Sequence, residues 1–204
     1  MASRRGGGCL HCLGMGLAAL LALTACSDTG SVRTGAGAAR EQDRSLAPYV
    51  VTSPDVVEEA LRLAGVGKDD LVYDLGSGDG RIVIAAARRY GARGIGFELE
   101  PELIRRAEEN ARLAGVSHLV EFRRQDVLTV DLSPATVVTV YLSLEANLKL
   151  RPRMQTELRP GARVVSYEFN MGDWLPDVFR QVRDESGRVR ALYLWRIGPR
   201  PAGS

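Results

Sequence analysis

The stretch Leu71-Val72-Tyr73-Asp74-Leu75-Gly76-Ser77-Gly78-Asp79-Gly80 constrains the fold of this chain more than any other. An apolar run ends in a carboxylate and a glycine-rich turn, and the Ala-rich segment Arg81 to Tyr90 follows. The first part predicts a buried strand and the last a helix. Glycines in the turn let the backbone approach a ligand with no Cβ in the way. The helix N-terminus then offers free N–H groups and a partial positive charge. Dinucleotide sites share this strand–turn–helix logic, but with the spacing G-x-G-x-x-G. Here the third glycine comes one residue early and Asp74 stands two residues before the first.

Two more carboxylates fall at the ends of strand-like runs. Arg93 to Glu98 reads as a short strand ending in Glu98, about 20 residues past the turn, the separation at which an acidic side chain takes a ribose hydroxyl pair. Pro101 opens the next helix, where its missing N–H costs nothing. Leu119 to Arg124 reads as a third strand, followed by Gln125-Asp126-Val127. Open α/β sheets bind ligands at the carboxyl ends of their strands, where Asp74, Glu98 and Asp126 stand. The competing reading is that each carboxylate caps the helix after it.

Alternating elements over the rest of the chain predict a parallel sheet with helices on both faces. Ser53 and Pro54 open a helix running to Gly65, with Ser53 as its N-cap. The helix from Pro101 to Ala114 stops at Gly115. Thr136 to Leu142 is a β-branched run and reads as a central strand. Leu144 to Leu158 reads as helical despite Pro152. Ala162 to Phe169 is a fifth strand, and Val178 to Asp184 and Arg190 to Ile197 pair across the turn 185–188.

With 204 residues, 45% of them hydrophobic and 25% charged, the chain can bury the core of one domain plus an appendage. A net charge of +2 is too small to argue for nucleic acid. The pairs Arg88-Arg89, Arg105-Arg106 and Arg123-Arg124 sit on separate elements and read as solvated faces. Cys9, Cys12 and Cys26 all precede the domain, and one C-x-x-C without a second pair makes no zinc site, so no metal is expected. Arg4 and Arg5 followed by the apolar stretch Leu10 to Leu23 read as an export signal. The tether 27–46 is Gly-, Ala-, Ser- and Arg-rich, the folded domain spans 47–198, and 199–204 is a tail.

Asp74-x-Gly76-x-Gly78-x-Gly80 resembles motif I of class I S-adenosyl-L-methionine (AdoMet) methyltransferases. The runs Tyr49 to Pro54, Val72 to Val83 and Gly96 to Leu99 resemble the small protein-lysine methyltransferases that act on the ATP synthase c-subunit and the adenine nucleotide translocase. The resemblance covers Pro48 to Trp174. It implies a Rossmann-like, doubly wound α/β fold of seven mostly parallel strands closed by an antiparallel hairpin. It further implies AdoMet as cofactor, with Asp74, Gly76, Ser77, Gly78 and Gly80 holding its methionine part. Glu98 then takes the ribose, Asp126 and Val127 the adenine, and Tyr49 and Thr52 close over the ligand. Phe169, Asp173 and Trp174 map onto a segment bordering the lysine channel. Tyr141, at the end of the fourth strand, is the candidate for lining the methyl site, with core packing as the competing reading. No Asn-Pro-Pro-Tyr motif follows that strand, and no Ser–His–Asp arrangement is visible. Leu23-Thr24-Ala25-Cys26 resembles a bacterial lipobox, which implies a signal peptide over 1–26, lipidation of Cys26 and a membrane-anchored lipoprotein of the cell envelope. A retained inner-membrane anchor, or a cytoplasmic enzyme with a later start, is the alternative.

The expected function is therefore methyl transfer from AdoMet, to a protein lysine, by a monomer that binds no nucleic acid. A small-molecule methyltransferase and a non-catalytic AdoMet- or nucleotide-binding envelope module stay open beside it. A lid or cap domain would favour the first, AdoMet binding without transfer the second.

Overall fold

A computed structural model describes residues 52–199. The expected signal segment, Cys26, the tether, Tyr49 and the tail after Pro199 lie outside the described residues. Seven strands form one sheet: β1 (Leu71–Leu75), β2 (Arg93–Glu98), β3 (Val120–Arg124), β4 (Val137–Val140), β5 (Arg163–Tyr167), β6 (Val178–Arg183) and β7 (Val189–Arg196). Their order is β3-β2-β1-β4-β5-β7-β6, parallel from β3 to β5, with β7 antiparallel to both β5 and β6. The expected α/β fold is borne out, down to the terminal hairpin.

Among the described residues, four helices cover the sheet: α1 (Pro54–Ala64), α2 (Arg81–Tyr90), α3 (Pro101–Leu113) and α4 (Leu144–Glu157). Alternation along each strand sorts side chains to one face or the other. Val72, Val137, Val165, Leu192 and Leu194 pack under α1 and α2, with Val56, Val57, Leu61 and Val83 from those helices. Tyr73, Leu75, Phe97, Val138, Val164 and Trp195 face the other way, onto Leu150 and Met154 of α4 and the connection carrying Val127, Val130 and Leu132. Val137–Val140 is buried at every position, as a central parallel strand requires.

Some boundaries differ from expectation for identifiable reasons. β4 is shorter than 136–142: its last residue, Val140, pairs with Leu75, where β1 ends, on one side and with Ser166 on the other. β5 stops at Tyr167 because Glu168 takes φ 65°, the sole positive φ outside glycine among the described residues. Ser53 occupies the N-cap position of α1 but makes no side-chain capping bond, and its Oγ is buried without a partner. Pro152 lies inside α4 as expected. Among the described residues, no helix is long and apolar enough to cross a membrane, and no cluster of three or more His, Cys, Asp or Glu could hold a metal.

Candidate cofactor and methyl-transfer site

The parallel ladder places Asp74 beside Gly96 of β2 and Thr139 of β4. Asp74 shares the α1/α2 face with Val72 and is 2% exposed. Its Oδ1 accepts a 2.7 Å hydrogen bond from Thr139 Oγ1. Burial pushes its carboxyl up to about 7, the Thr139 bond works against that rise, and the negative charges of Glu98 and Asp79 add to it.

The turn after β1 is tied to β2. Gly76 and Ser77 N–H both donate to the Phe97 carbonyl, at 2.9 and 3.0 Å, and Gly80 N–H donates to the Ser77 carbonyl at 2.9 Å. Gly80 is the N-cap of α2 at φ 79°. A Cβ there would stand 2.5 Å from the Phe122 ring, so glycine is required twice over. Ser77 is buried and its hydroxyl has no partner.

Glu98, the last residue of β2, reaches across the turn. Its Oε2 accepts from Gly78 N–H at 2.9 Å, and its Oε1 from Leu99 and Glu100 N–H at 2.7 and 3.1 Å. Asp74, Asp79 and Glu98 thus gather at one turn. Asp79 is clamped by Arg81 at 2.8 and 2.6 Å. The same Arg81 donates to the Thr52 carbonyl at 2.5 Å, which pins the entry to α1 beside the turn. Asn110 of α3 secures the Asp79 carbonyl at 3.0 Å. Sequence reasoning missed Arg81, Asn110 and Thr139. The first stands directly after the motif, whereas the other two come from distant elements.

Asp126 stands two residues past β3 and caps a short 3₁₀ turn (Val127–Thr129), its Oδ1 accepting from Leu128 N–H at 2.9 Å. The capping reading therefore holds for one of its oxygens. Val127 is buried in the α4-side core.

Tyr141 continues the side-chain alternation of β4 onto the α1/α2 face. Its ring meets Tyr167 with centroids 4.1 Å apart. Both phenols are pushed up by burial, Tyr167 to about 12. Thr52, Thr139, Tyr141 and Tyr167 line one narrow apolar crevice against α1. Trp174 and Asp173 lie elsewhere. Trp174 packs on Trp195 with centroids 5.4 Å apart, on the α4 face, and Asp173 pairs with Arg151 of α4. Phe169 is half-exposed after β5, its carbonyl held by Ser166 and Asn147 at 2.5 and 3.1 Å. The structure thus gathers Thr52, Asp74, Gly76, Ser77, Gly78, Gly80 and Glu98, with Tyr141 next to Thr52. It leaves Asp173 and Trp174 on the other face of the sheet. A further cavity of about 330 Å³ between α1, α2 and α3 is lined by Arg81 and Asn110 but by none of the site residues expected from the sequence.

A buried carboxylate bonded only to a neutral hydroxyl, two more acids at the same turn, an orphaned serine hydroxyl and a glycine cradle fit a cationic amino-acid ligand carrying hydroxyls. Known proteins agree. The family model described as the ANTKMT methyltransferase domain matches residues 74–178. A protein-lysine N-methyltransferase of Saccharolobus islandicus (strain REY15A) is 41% identical over 74% of this chain and 94% of its own length. The adenine nucleotide translocase lysine N-methyltransferase of Mus musculus is 39% identical over 74% of this chain, which spans only 65% of that enzyme. A crystal structure of an RNA methyltransferase from Salinibacter ruber in complex with S-adenosyl-L-homocysteine is 50% identical, with a TM-score of 0.69 over 76% of this chain and 98% of that one. This chain belongs to the ANTKMT methyltransferase domain family and is an AdoMet-dependent methyltransferase.

Proposed function

We propose that the chain is a protein-lysine N-methyltransferase. The observation that carries this is the 41% identity to the Saccharolobus islandicus lysine methyltransferase across nearly all of that protein. The site supports it with roles for each residue. Asp74 meets the ammonium of AdoMet, the turn from Gly76 to Gly80 with Ser77 passes along its methionine part, and Glu98 takes the ribose. Glu98 has about four lone-pair positions, and three are already taken by backbone N–H groups. A hydroxyl pair therefore displaces one of them, and the 3.1 Å bond from Glu100 is the weakest. Asp126 keeps its second oxygen for the adenine amino group, with Val127 against the ring. Thr52 closes over the cofactor, and Tyr49 joins it in this reading.

AdoMet supplies an electrophilic methyl on a sulfonium. The chain's part is alignment and desolvation. A lysine is a nucleophile only when neutral, and an apolar passage lowers its pKa by disfavouring the ammonium. The crevice of Tyr141, Tyr167 and Thr139 supplies such a wall. Bound there, AdoMet would supply its methyl group to that neutral nitrogen, and the proton the nitrogen then loses would pass to solvent. Positioning accounts for much of the rate in such a displacement. Phe169 borders the approach, with Asp173 and Trp174 bracing the same segment from the α4 side.

The Salinibacter ruber structure favours a second reading, methyl transfer to RNA. Against it, several exposed arginines are spent on neighbouring acids: Arg62 on Glu59, Arg105 on Glu102, Arg112 on Glu109 and Arg123 on Glu121. We also propose that Cys26 is lipidated and holds the enzyme at the cell envelope. An acylated Cys26 in the mass spectrum of the native N-terminus supports this, and an intact or later N-terminus refutes it. The acceptor test is radiolabel transfer from AdoMet by the full-length chain, offered solubilised membrane protein and total RNA separately. Label in protease-sensitive bands, recovered as methyl-lysine, is the expected result. Label in RNA replaces the lysine reading by the second, and label in small molecules alone overturns both.

A further inference from the structure

Thr139 is the one polar residue in the buried run Val137–Val140. It stands opposite Asp74 in the β1–β4 ladder, and each is 2% exposed. Nothing in a β-branched strand marks this threonine as more than strand-forming. The packing does. Its hydroxyl lies 2.7 Å from Asp74 Oδ1, against 3.4 Å from its second acceptor, the Tyr73 carbonyl. A threonine hydroxyl has one proton to give, and the shorter contact takes it. Asp74 Oδ2 accepts no hydrogen bond from any described residue.

The groups facing Asp74 are few. The turn contributes Asp79 and β2 contributes Glu98, both raising the carboxyl, while β4 contributes only the neutral Thr139. Arg81 sits close by but pairs with Asp79. Without Thr139 the carboxyl would be buried beside two like charges with nothing to hold its ionised form.

We infer that Thr139 is a positioning residue of the cofactor site: its hydroxyl fixes Asp74 against β4 with Oδ1 occupied, turns Oδ2 toward the cofactor's ammonium, and favours the charged carboxylate that a cation requires. Thr139 also lines the crevice of Tyr141, so one side chain joins the cofactor carboxylate to the acceptor wall. The inference rests on Asp74 being the ammonium contact, as proposed above.

The test is calorimetric titration of the full-length chain with AdoMet between pH 6 and 8.5, for wild type, Thr139→Val and Thr139→Ser. Losing the hydroxyl raises the carboxyl of the free protein by about one pH unit, so a proton must be displaced over a wider range before the cation binds. The Thr139→Val dissociation constant should match wild type within about twofold at pH 8.5 and exceed it by about tenfold at pH 6. The ammonium of AdoMet titrates identically in every arm and cancels from the ratio. Thr139→Ser, which keeps the hydroxyl, should follow wild type throughout. Should Thr139→Val fail to fold, Thr139→Ala is read in its place. A ratio that is the same at every pH, or no loss at any pH, overturns the inference. Asp74→Asn, run alongside, separates the two claims. If it binds AdoMet like wild type, the ammonium reading itself falls. If it binds weakly, the Thr139 variants decide the inference alone.

Discussion

The end of the sheet proposed to hold the cofactor is drawn largely by backbone, and the end proposed to face the acceptor by side chains. At the ends of β1 and β2, peptide N–H groups hold the turn, Gly76 and Ser77 to the Phe97 carbonyl and Gly78, Leu99 and Glu100 to Glu98, while Thr139, Arg81 and Asn110 add side-chain ties around it. At the ends of β4 and β5, a side-chain amide makes the contacts. Asn147, fully buried in α4, donates to Ser166 Oγ at 2.9 Å and to the carbonyls of Phe169 and Asn170 at 3.1 and 3.3 Å. That amide holds the turn in which Glu168 adopts its positive φ. A backbone-built site follows from local spacing, so it keeps one ligand. A side-chain-built rim can be recut without touching the fold, which suits relatives that share a cofactor and carry different acceptor names.

The largest expected effect tests whether the cofactor end is strained when empty. Asp74 has its carboxyl raised to about 7 by burial. The native chain therefore binds more protons than the unfolded chain between about pH 4 and pH 7, and this stability is lost as pH rises through that window. A shift of this size corresponds to roughly 4 kcal/mol at most. Asp74→Asn removes the buried charge and should raise the melting temperature of the cofactor-free chain at pH 8, by roughly 2–4 °C per kcal/mol recovered. At pH 5 the gain should fall to less than half of that, and near pH 4 it should all but vanish. Thermal melts at these pH values check this, and a variant less stable at pH 8 breaks the comparison.

The acceptor end should respond in the opposite sense. Asn147→Ala takes the donor from Ser166 Oγ and the Asn170 carbonyl and leaves the Phe169 carbonyl to Ser166 alone, at about 1–3 kcal/mol of stability. AdoMet affinity should change by less than about twofold, since the amide lies on the α4 face, across the sheet from Asp74. Denaturant unfolding together with titration reads both. Equal losses of stability and affinity would show that the two ends are not separate.

Tyr141→Phe should have the smallest effect. The ring contact with Tyr167 survives and only the hydroxyl goes. Stability and AdoMet affinity should stay within about 0.5 kcal/mol of wild type, so any fall in methyl transfer would report on the acceptor alone. A loss of affinity instead would move Tyr141 into the cofactor site.

The same division governs what the sequence discloses. Asp74, the glycine turn, Glu98 and the limits of β2 and α2 were legible because each is a local pattern of strand period, turn residues and helix cap. Gly115 ends α3 with φ 72° for the same reason. The end of β5 was not legible, because neither Tyr167 nor Glu168 carries a turn signal. A buried amide 20 residues upstream bends the chain there. Asp173 and Trp174 were suggested by the family resemblance alone, and their partners Arg151 and Trp195, on the far face, come from distant elements that no local pattern discloses. Thr139 was hidden within a run whose strand propensity already explained it.

The central claim is that Asp74 and Glu98 anchor AdoMet at the ends of β1 and β2. Calorimetric titration of the full-length chain with AdoMet, comparing wild type with Asp74→Asn, Glu98→Gln and the double variant, tests it most directly. Charge-assisted hydrogen bonds are worth about 1.5–3 kcal/mol each. Each single variant should bind at least about tenfold more weakly than wild type, and the double variant about a hundredfold more weakly, with the cofactor-free chains still melting cooperatively. Folded variants that bind AdoMet as wild type does would contradict the account.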